Sequence, residues 1–298
     1  MFISKTSLII PTRNRLSKIK RLFASKNLRF KSFNEILIID SSEIKMHKEL
    51  VKKFVNFKNI KIIKSKPSTS LQRNKGIKSI NKKNKFIMFC DDDILFKKNS
   101  FFEMNKFIKE NPKYIGYGFN LVEKKNESLI DRIKKNKIFI KYGFYNFKAG
   151  IVCENGWHTR LSNVKGKCET MWLSTQACIY KSKFVKKRKF FDESLGNYSY
   201  LEDLFFSYSL NKYGKFAIST KSIYWHPNNI ERKSYRFGVQ EVLNRYKFVK
   251  KYKLNKKKFL LTFILKIIFV LTQVLFLRLD LIPKLFGNLI GFMKSLKK

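Results

Sequence analysis

Lys85-Phe86-Ile87-Met88-Phe89 is a short apolar run, and Cys90 leads from it directly into Asp91-Asp92-Asp93. An apolar run of this length, bounded by polar residues, is the pattern of a strand buried on both faces, as in a parallel sheet. Three adjacent acids at its end stand out in a chain with 65 Lys and Arg against 21 Asp and Glu, a formal net charge of +44. Neighbouring carboxylates repel, and a cation among them removes that cost. Asp91 and Asp93, two apart at a strand end, are expected to point the same way. Hard oxygen donors of this kind suit Mg2+ or Mn2+. The plainer alternative is a solvated acidic turn.

Three further apolar runs lie upstream. Thr6 to Ile10 is closed by Pro11-Thr12-Arg13-Asn14, Glu35 to Ile39 runs into Asp40-Ser41-Ser42, and Ile60 to Ile63 is the third. Leu16 to Leu22, Met46 to Phe57 and Ser70 to Ile80 read as helices between them. The alternation predicts an α/β fold, a Rossmann-like, mostly parallel sheet flanked by helices. Ligands of such sheets sit beyond the carboxyl ends of the strands, where Thr12-Arg13-Asn14, Asp40-Ser41-Ser42 and the acidic triplet fall. Downstream, Phe101 to Lys109 reads as helix, and Ile115 to Val122 and Ile138 to Phe147 as strands or extended chain. Leu201 to Tyr213 has the spacing of an amphipathic helix, with Gly214 after it as a C-cap.

The end of the chain differs in kind. Phe259 to Leu277 is a 19-residue apolar stretch with one charge, Lys266, after a cluster of lysines at 250, 251, 253 and 256–258. As a helix it would be ~28 Å long, just short of a bilayer's hydrocarbon core. A single span would export Lys284, Lys294, Lys297 and Lys298, against the positive-inside preference, and would hold Lys266 near mid-membrane. A monotopic arrangement on an anionic surface is therefore expected, with an amphipathic segment from Lys284 to Lys298. A soluble core helix or a dimer face is the alternative. No signal peptide is visible, and Cys90, Cys153, Cys168 and Cys178 form no CxxC pair, which fits a reducing compartment. Part of the basic excess follows from A/T-rich codon usage, since Lys, Ile, Phe and Asn are all abundant; no specific nucleic-acid partner is inferred.

Two more segments carry chemistry. Leu71-Gln72-Arg73-Asn74-Lys75-Gly76-Ile77 places an arginine near a helix start, suited to a diphosphate or a base. Leu201-Glu202-Asp203 opens a helix with two acids, either dipole complements or a general base. Trp157 and Trp172 could stack on sugar rings or pack in a core, and His158 could meet a ligand or be structural.

In order and spacing, residues 7–15, 38–42, 73–77, 89–94, 191–195 and 201–203 resemble family 2 glycosyltransferases, which have the GT-A fold. The resemblance covers about residues 5–226 and is specific in the first half. It implies a domain over 1–230, with a nucleotide-binding half (1–99) and an acceptor half (100–230); the basic, membrane-associating tail read above then occupies 231–298. It implies inverting transfer of a sugar from a UDP-, GDP- or dTDP-sugar to a hydroxyl of a glycan or lipid-linked acceptor, at the cytoplasmic face of the inner or plasma membrane. Pro11, Thr12, Arg13, Asp40, Arg73, Asp91 and Asp92 would line the nucleotide, with Asp40 on the base and Asp91 near the ribose. Asp93 and His226 would hold Mn2+ or Mg2+. Asp203 would be the catalytic base, with Glu202 positioning it or the acceptor. The glycine-free segment 172–176 departs from the family pattern and bears on the acceptor. A sugar nucleotidyltransferase would share the sheet and the acids, but calls for a Gly-rich, Lys-containing loop after the first strand, where Pro11-Thr12-Arg13-Asn14-Arg15 stands. A non-enzymatic RNA- or membrane-binding protein would explain the charge but not the acids.

Overall fold

The computed structural model describes residues 2–297 apart from 26, 29, 124–136, 167, 187–189, 197 and 228–231. Lys298 and the expected domain boundary at 230/231 lie outside the described residues. The chain forms two compact units, one of Met1–Lys124 with Leu161–Pro227 and one of Lys125–Arg160 with Asn228–Lys298.

The first unit is built on one sheet. Its strands are β1 (Thr6–Thr12), β2 (Glu35–Asp40), β3 (Ile60–Lys64), β4 (Phe86–Cys90), β5 (Leu95–Phe96), β6 (Gly116–Leu121), β7 (Cys168–Thr170), β8 (Ala177–Lys181) and β9 (Phe216–Trp225). Their spatial order is β3-β2-β1-β4-β8-β6-β9-β5, with β7 paired to β9. The β3-β2-β1-β4 half is parallel, and β8 enters antiparallel to both β4 and β6. Every residue of β1 and β2 is buried, whereas the edge strand β3 is only partly so. That difference explains the unbroken apolar runs of the two inner strands. The helices are α1 (Leu16–Ala24), α2 (Ile44–Phe54), α3 (Thr69–Ser79), α4 (Ser100–Glu110), α5 (Lys137–Lys141, in the second unit), α6 (Ser182–Lys186) and α7 (Glu202–Leu210).

Two expectations are corrected. Pro11 does not end β1, because the strand continues to Thr12 with Pro11 opposite Ile39. Pairing of β1 with β4 stops at Ile9–Phe89, so on that side proline's missing N–H costs no ladder bond. The stretch 138–147 is not extended: α5 occupies its start, and Tyr142 N bonds Ile138 O at 3.1 Å and Phe144 N bonds Phe139 O at 2.8 Å. Its backbone groups pair locally instead of along a sheet edge.

The second unit contains three long helices, α8 (Tyr235–Lys251), α9 (Lys256–Leu275) and α10 (Ile282–Leu296). α8 and α10 meet at backbone distance: a Cβ on Gly238 would lie 2.5 Å from Lys284 O, and one on Gly287 2.2 Å from Tyr235 O. Asn288 Nδ2 donates to Gly238 O at 3.0 Å across this contact. α9 packs Phe259 and Phe263 against Val242, Tyr246 and Val249, and Val270 against Leu281 and Leu285. Trp157 joins that cluster, with its ring 5.0 Å from Phe263 and under the Arg245 guanidinium at 4.6 Å. Trp172 is buried, in the first unit.

Lys266 is not a lone charge: its ammonium bonds buried Glu241 of α8, which Lys284 also approaches at 3.7 Å. Burial opposes ionisation of Glu241, but the two lysines outweigh it and hold its carboxyl down at about 2. Lys266 itself is lowered by burial despite Glu241, so the pair's net contribution is smaller than the glutamate shift alone implies, on the order of 1–3 kcal/mol. A depressed carboxyl stabilises above its unfolded value and loses that contribution as pH falls through the folded one. Thermal stability should therefore fall between about pH 5 and about pH 2, and Glu241→Gln should flatten that acid slope while lowering stability at neutral pH. Calorimetry across this range checks both.

Candidate functional site

α3 organises the carboxyl ends of the strands. Ser68 caps it by accepting from Leu71 N at 3.3 Å. Gly76 lets it lie on β1, since a Cβ there would sit 2.5 Å from Ile9 Cγ2. Gln72 Nε2 donates to Thr12 O at 2.8 Å and to Ile39 O at 2.6 Å, tying together the ends of β1 and β2. Asn74 Nδ2 donates to Phe191 O at 2.9 Å and to Glu193 Oε1 at 2.7 Å, fixing the segment that leads to α7. Arg73, fully enclosed, donates Nη2 to Asp91 Oδ1 at 2.9 Å and Nη1 to Glu202 Oε1. Its buried Nε has no partner among the described residues.

The acidic triplet divides. Asp92 turns inward, accepting from Thr12 Oγ1 at 2.6 Å and from Arg15 Nη1 at 3.1 Å. Burial pushes its carboxyl up to about 6 against the pull of Thr12 and Arg15. Asp91 and Asp93 bring carboxylate oxygens close to each other. With His226, just past β9, they offer three ligand atoms all within 4.8 Å of one another. Asp93 Oδ1 lies 3.2 Å from His226 Nε2. Burial works against both charges, but their mutual contact wins, holding Asp93 below and His226 above their ordinary values. Two oxygen donors and one imidazole at this separation fit a divalent cation such as Mn2+.

Glu202 and Asp203 form the first turn of α7. Burial raises the Glu202 carboxyl against the opposing pull of Arg73, and Thr69 Oγ1 donates to its second oxygen at 3.1 Å. The turn before them is strained, with Ser199 at φ 49° and Leu201 at φ 73°. Such angles cost on the order of 1–3 kcal/mol each and persist where surroundings enforce them. Here Ser199 Oγ donates to Gly196 O at 2.8 Å and accepts from Ser70 N at 3.3 Å, pinning the turn to α3. Asp203 is partly exposed, and its Oδ1 accepts from Leu204 N at 2.8 Å.

Thr12, Arg73, Asp91, Asp92, Asp93, Glu202 and His226 thus form one contiguous network, with Asp203 beside Glu202. Pro11 and Thr12 stand at the end of β1, and Arg13 is exposed in the loop after it. Asp40 is set apart. It is fully buried, one oxygen bonded by Ser42 N at 2.9 Å and by Ser42 Oγ, the other by His47 Nδ1 at 2.7 Å. His158 lies in the second unit, half-buried and held well below its ordinary value by desolvation and nearby arginines. Arg15 was not among the expected site residues, yet it bridges Asp92 and Asp93, and Arg21 Nη2 donates to Asp93 O at 2.9 Å. Their only sequence signal is position, on the loop and helix after the first strand.

The sequence matches glycosyl transferase family 2 over residues 7–178. No curated protein matches it significantly. Among solved structures, GalNAc-T7 with UDP, GalNAc and Mn2+ aligns over 82% of this chain and 47% of its own, with 14% identity and a TM-score of 0.58. The present chain thus spans about half the length of that protein. S. aureus TarS (1-349) aligns over 97% of this chain and 80% of its own, at 17% identity and a TM-score of 0.58. The mannosyltransferase PcManGT from Pyrobaculum calidifontis, in complex with GDP-Man and Mn2+, aligns over 83% and 64%, at 10% identity and a TM-score of 0.54. Identities this low establish a shared GT-A fold.

Proposed function

Since the chain belongs to glycosyl transferase family 2, we propose that it is a glycosyltransferase that moves a sugar, with inversion, from a nucleotide sugar to a hydroxyl of a glycan or lipid-linked acceptor. The observation that carries this reading is the juxtaposition of a three-donor cation site, Asp91, Asp93 and His226, with the Arg73–Glu202 pair at the start of α7. The solved relatives with UDP and Mn2+, and with GDP-Man and Mn2+, support a nucleoside diphosphate and a divalent ion here.

Asp91, Asp93 and His226 would hold Mn2+ or Mg2+, which when bound supplies charge stabilisation to a departing diphosphate. Arg73, held between Asp91 and Glu202, adds its positive charge to that phosphate side. Pro11, Thr12 and Arg13 line the nucleoside, Asp40, buried opposite Thr12 and held by His47 and Ser42, supports that strand end from within, and Asp92 braces the loop after β1 through Thr12 and Arg15. Asp203 takes the proton of the acceptor hydroxyl as its oxygen attacks the anomeric carbon from the face opposite the nucleotide. Glu202, locked to Arg73, orients that turn. The setting is cell-surface polysaccharide or lipopolysaccharide synthesis at the cytoplasmic face of the membrane.

A panel of UDP-, GDP- and dTDP-sugars, screened for release of nucleoside diphosphate with and without Mn2+, tests the reading. One donor should be turned over at least ~10-fold faster with the metal. Equal release by wild type, Asp93→Ala and Asp203→Ala across the panel would refute the site.

A further inference from the structure

α9 has the length and mean hydropathy (2.0) of a membrane-crossing helix, yet only 17% of its apolar window is buried within the protein. Its exposed residues, Leu261, Ile264, Leu265, Ile268, Leu271 and Leu275, recur at helical spacing and form one uncharged stripe. α10 repeats the pattern with Ile282, Phe286, Leu289, Met293 and Leu296. Between the helices, Phe276 and Leu277 are 83% and 84% exposed. Apolar surface this extensive and continuous is costly in water and marks a partner.

Two observations identify the partner and the pose. The charges bordering the stripes are cationic. Lys253, Lys256 and Lys257 stand exposed before and at the start of α9, Lys294 and Lys297 at the end of α10, and the nearby acid Asp280 is already paired with Arg278 and Lys233. A two-fold dimer through this face would set each protomer's patch against its own copy, lysine rim included, whereas anionic headgroups complement that rim. The other observation is the backbone-level contact of α8 with α10 through Gly238, Gly287 and Asn288. α8 precedes α9 and α10 follows it, so elements at the two ends of α9 are locked together. Glu241 of α8 adds ion pairs to Lys266 on α9 and Lys284 on α10. Crossing by α9 would therefore carry α8 and α10 through the bilayer beside it, and α8, with Arg236, Glu241, Arg245 and Lys247, is too charged and α10, at 15 residues, too short to cross.

We propose that α9 and α10 together form a seat that lies in the surface of an anionic membrane, with both ends of α9 on the same side. The inference is independent of which sugar is transferred.

The full-length protein should float with vesicles of equimolar phosphatidylglycerol and phosphatidylcholine, and bind pure phosphatidylcholine vesicles more weakly. Leu265→Glu/Ile268→Glu alters only exposed positions and should weaken flotation at least ~10-fold with unchanged circular dichroism and nucleotide release. A membrane-impermeant maleimide added outside sealed vesicles should label Lys297→Cys as completely as Lys253→Cys, each corrected for wild-type Cys168. Protection of Lys297→Cys until detergent is added would show a span and overturn the pose. Flotation unaffected by the double substitution, or no vesicle binding together with concentration-dependent dimerisation in light scattering, would overturn the seat.

Discussion

Asp203→Asn should lower kcat by about 10²–10⁴-fold, the range for removing a positioned general base, and leave nucleotide binding within about twofold. Asparagine keeps the size of the side chain and an oxygen that can accept from Leu204 N, the contact made at 2.8 Å. What it loses is the ability to take a proton. The neighbouring Glu202 is a poor substitute, since its oxygens are committed to Arg73 and Thr69. Single-turnover kinetics at saturating donor and acceptor, with titration calorimetry of the nucleoside diphosphate, separate the two quantities. Wild-type turnover in the variant would place the base elsewhere.

Asp93→Ala should have the second large effect, at least ~10²-fold in kcat/KM at fixed metal concentration. Asp93 touches both His226 and Arg15, so its removal takes away one ligand and loosens another. The loss should be partly recovered at high Mn2+ if the cation site is weakened instead of the fold. Calorimetric titration of Mn2+ into the protein gives a readout that needs no turnover. Full activity in excess chelator, or unchanged Mn2+ affinity in the variant, would exclude the assignment.

The parallel half of the sheet was legible because each strand is a brief apolar run covered on both faces and followed by a helix. β8 and β9 were not. Ala177–Lys181 is inserted between β4 and β6, and nothing local in its sequence specifies neighbours so far away along the chain. The stretch 138–147 failed for the opposite reason: its apolar residues suggested extended chain, but its backbone pairs locally. At the site, Asp91 and Asp93 could be paired from their spacing, but His226 could be joined to Asp93 only through resemblance, because Trp225 and Cys90 lie on strands three places apart in the sheet order. The inward turn of Asp92 depends on Thr12 and Arg15, and no spacing rule encodes that partnership.

Arg73 has a consequence for how this site can be measured. One guanidinium neutralises a carboxylate from β4's end and another from α7's first turn. Deleting any member strands the remaining ones in a dry environment, so each apparent loss contains its neighbours' desolvation. The three side chains therefore have a joint free energy and no individual ones, and only a full thermodynamic cycle across all three can apportion it.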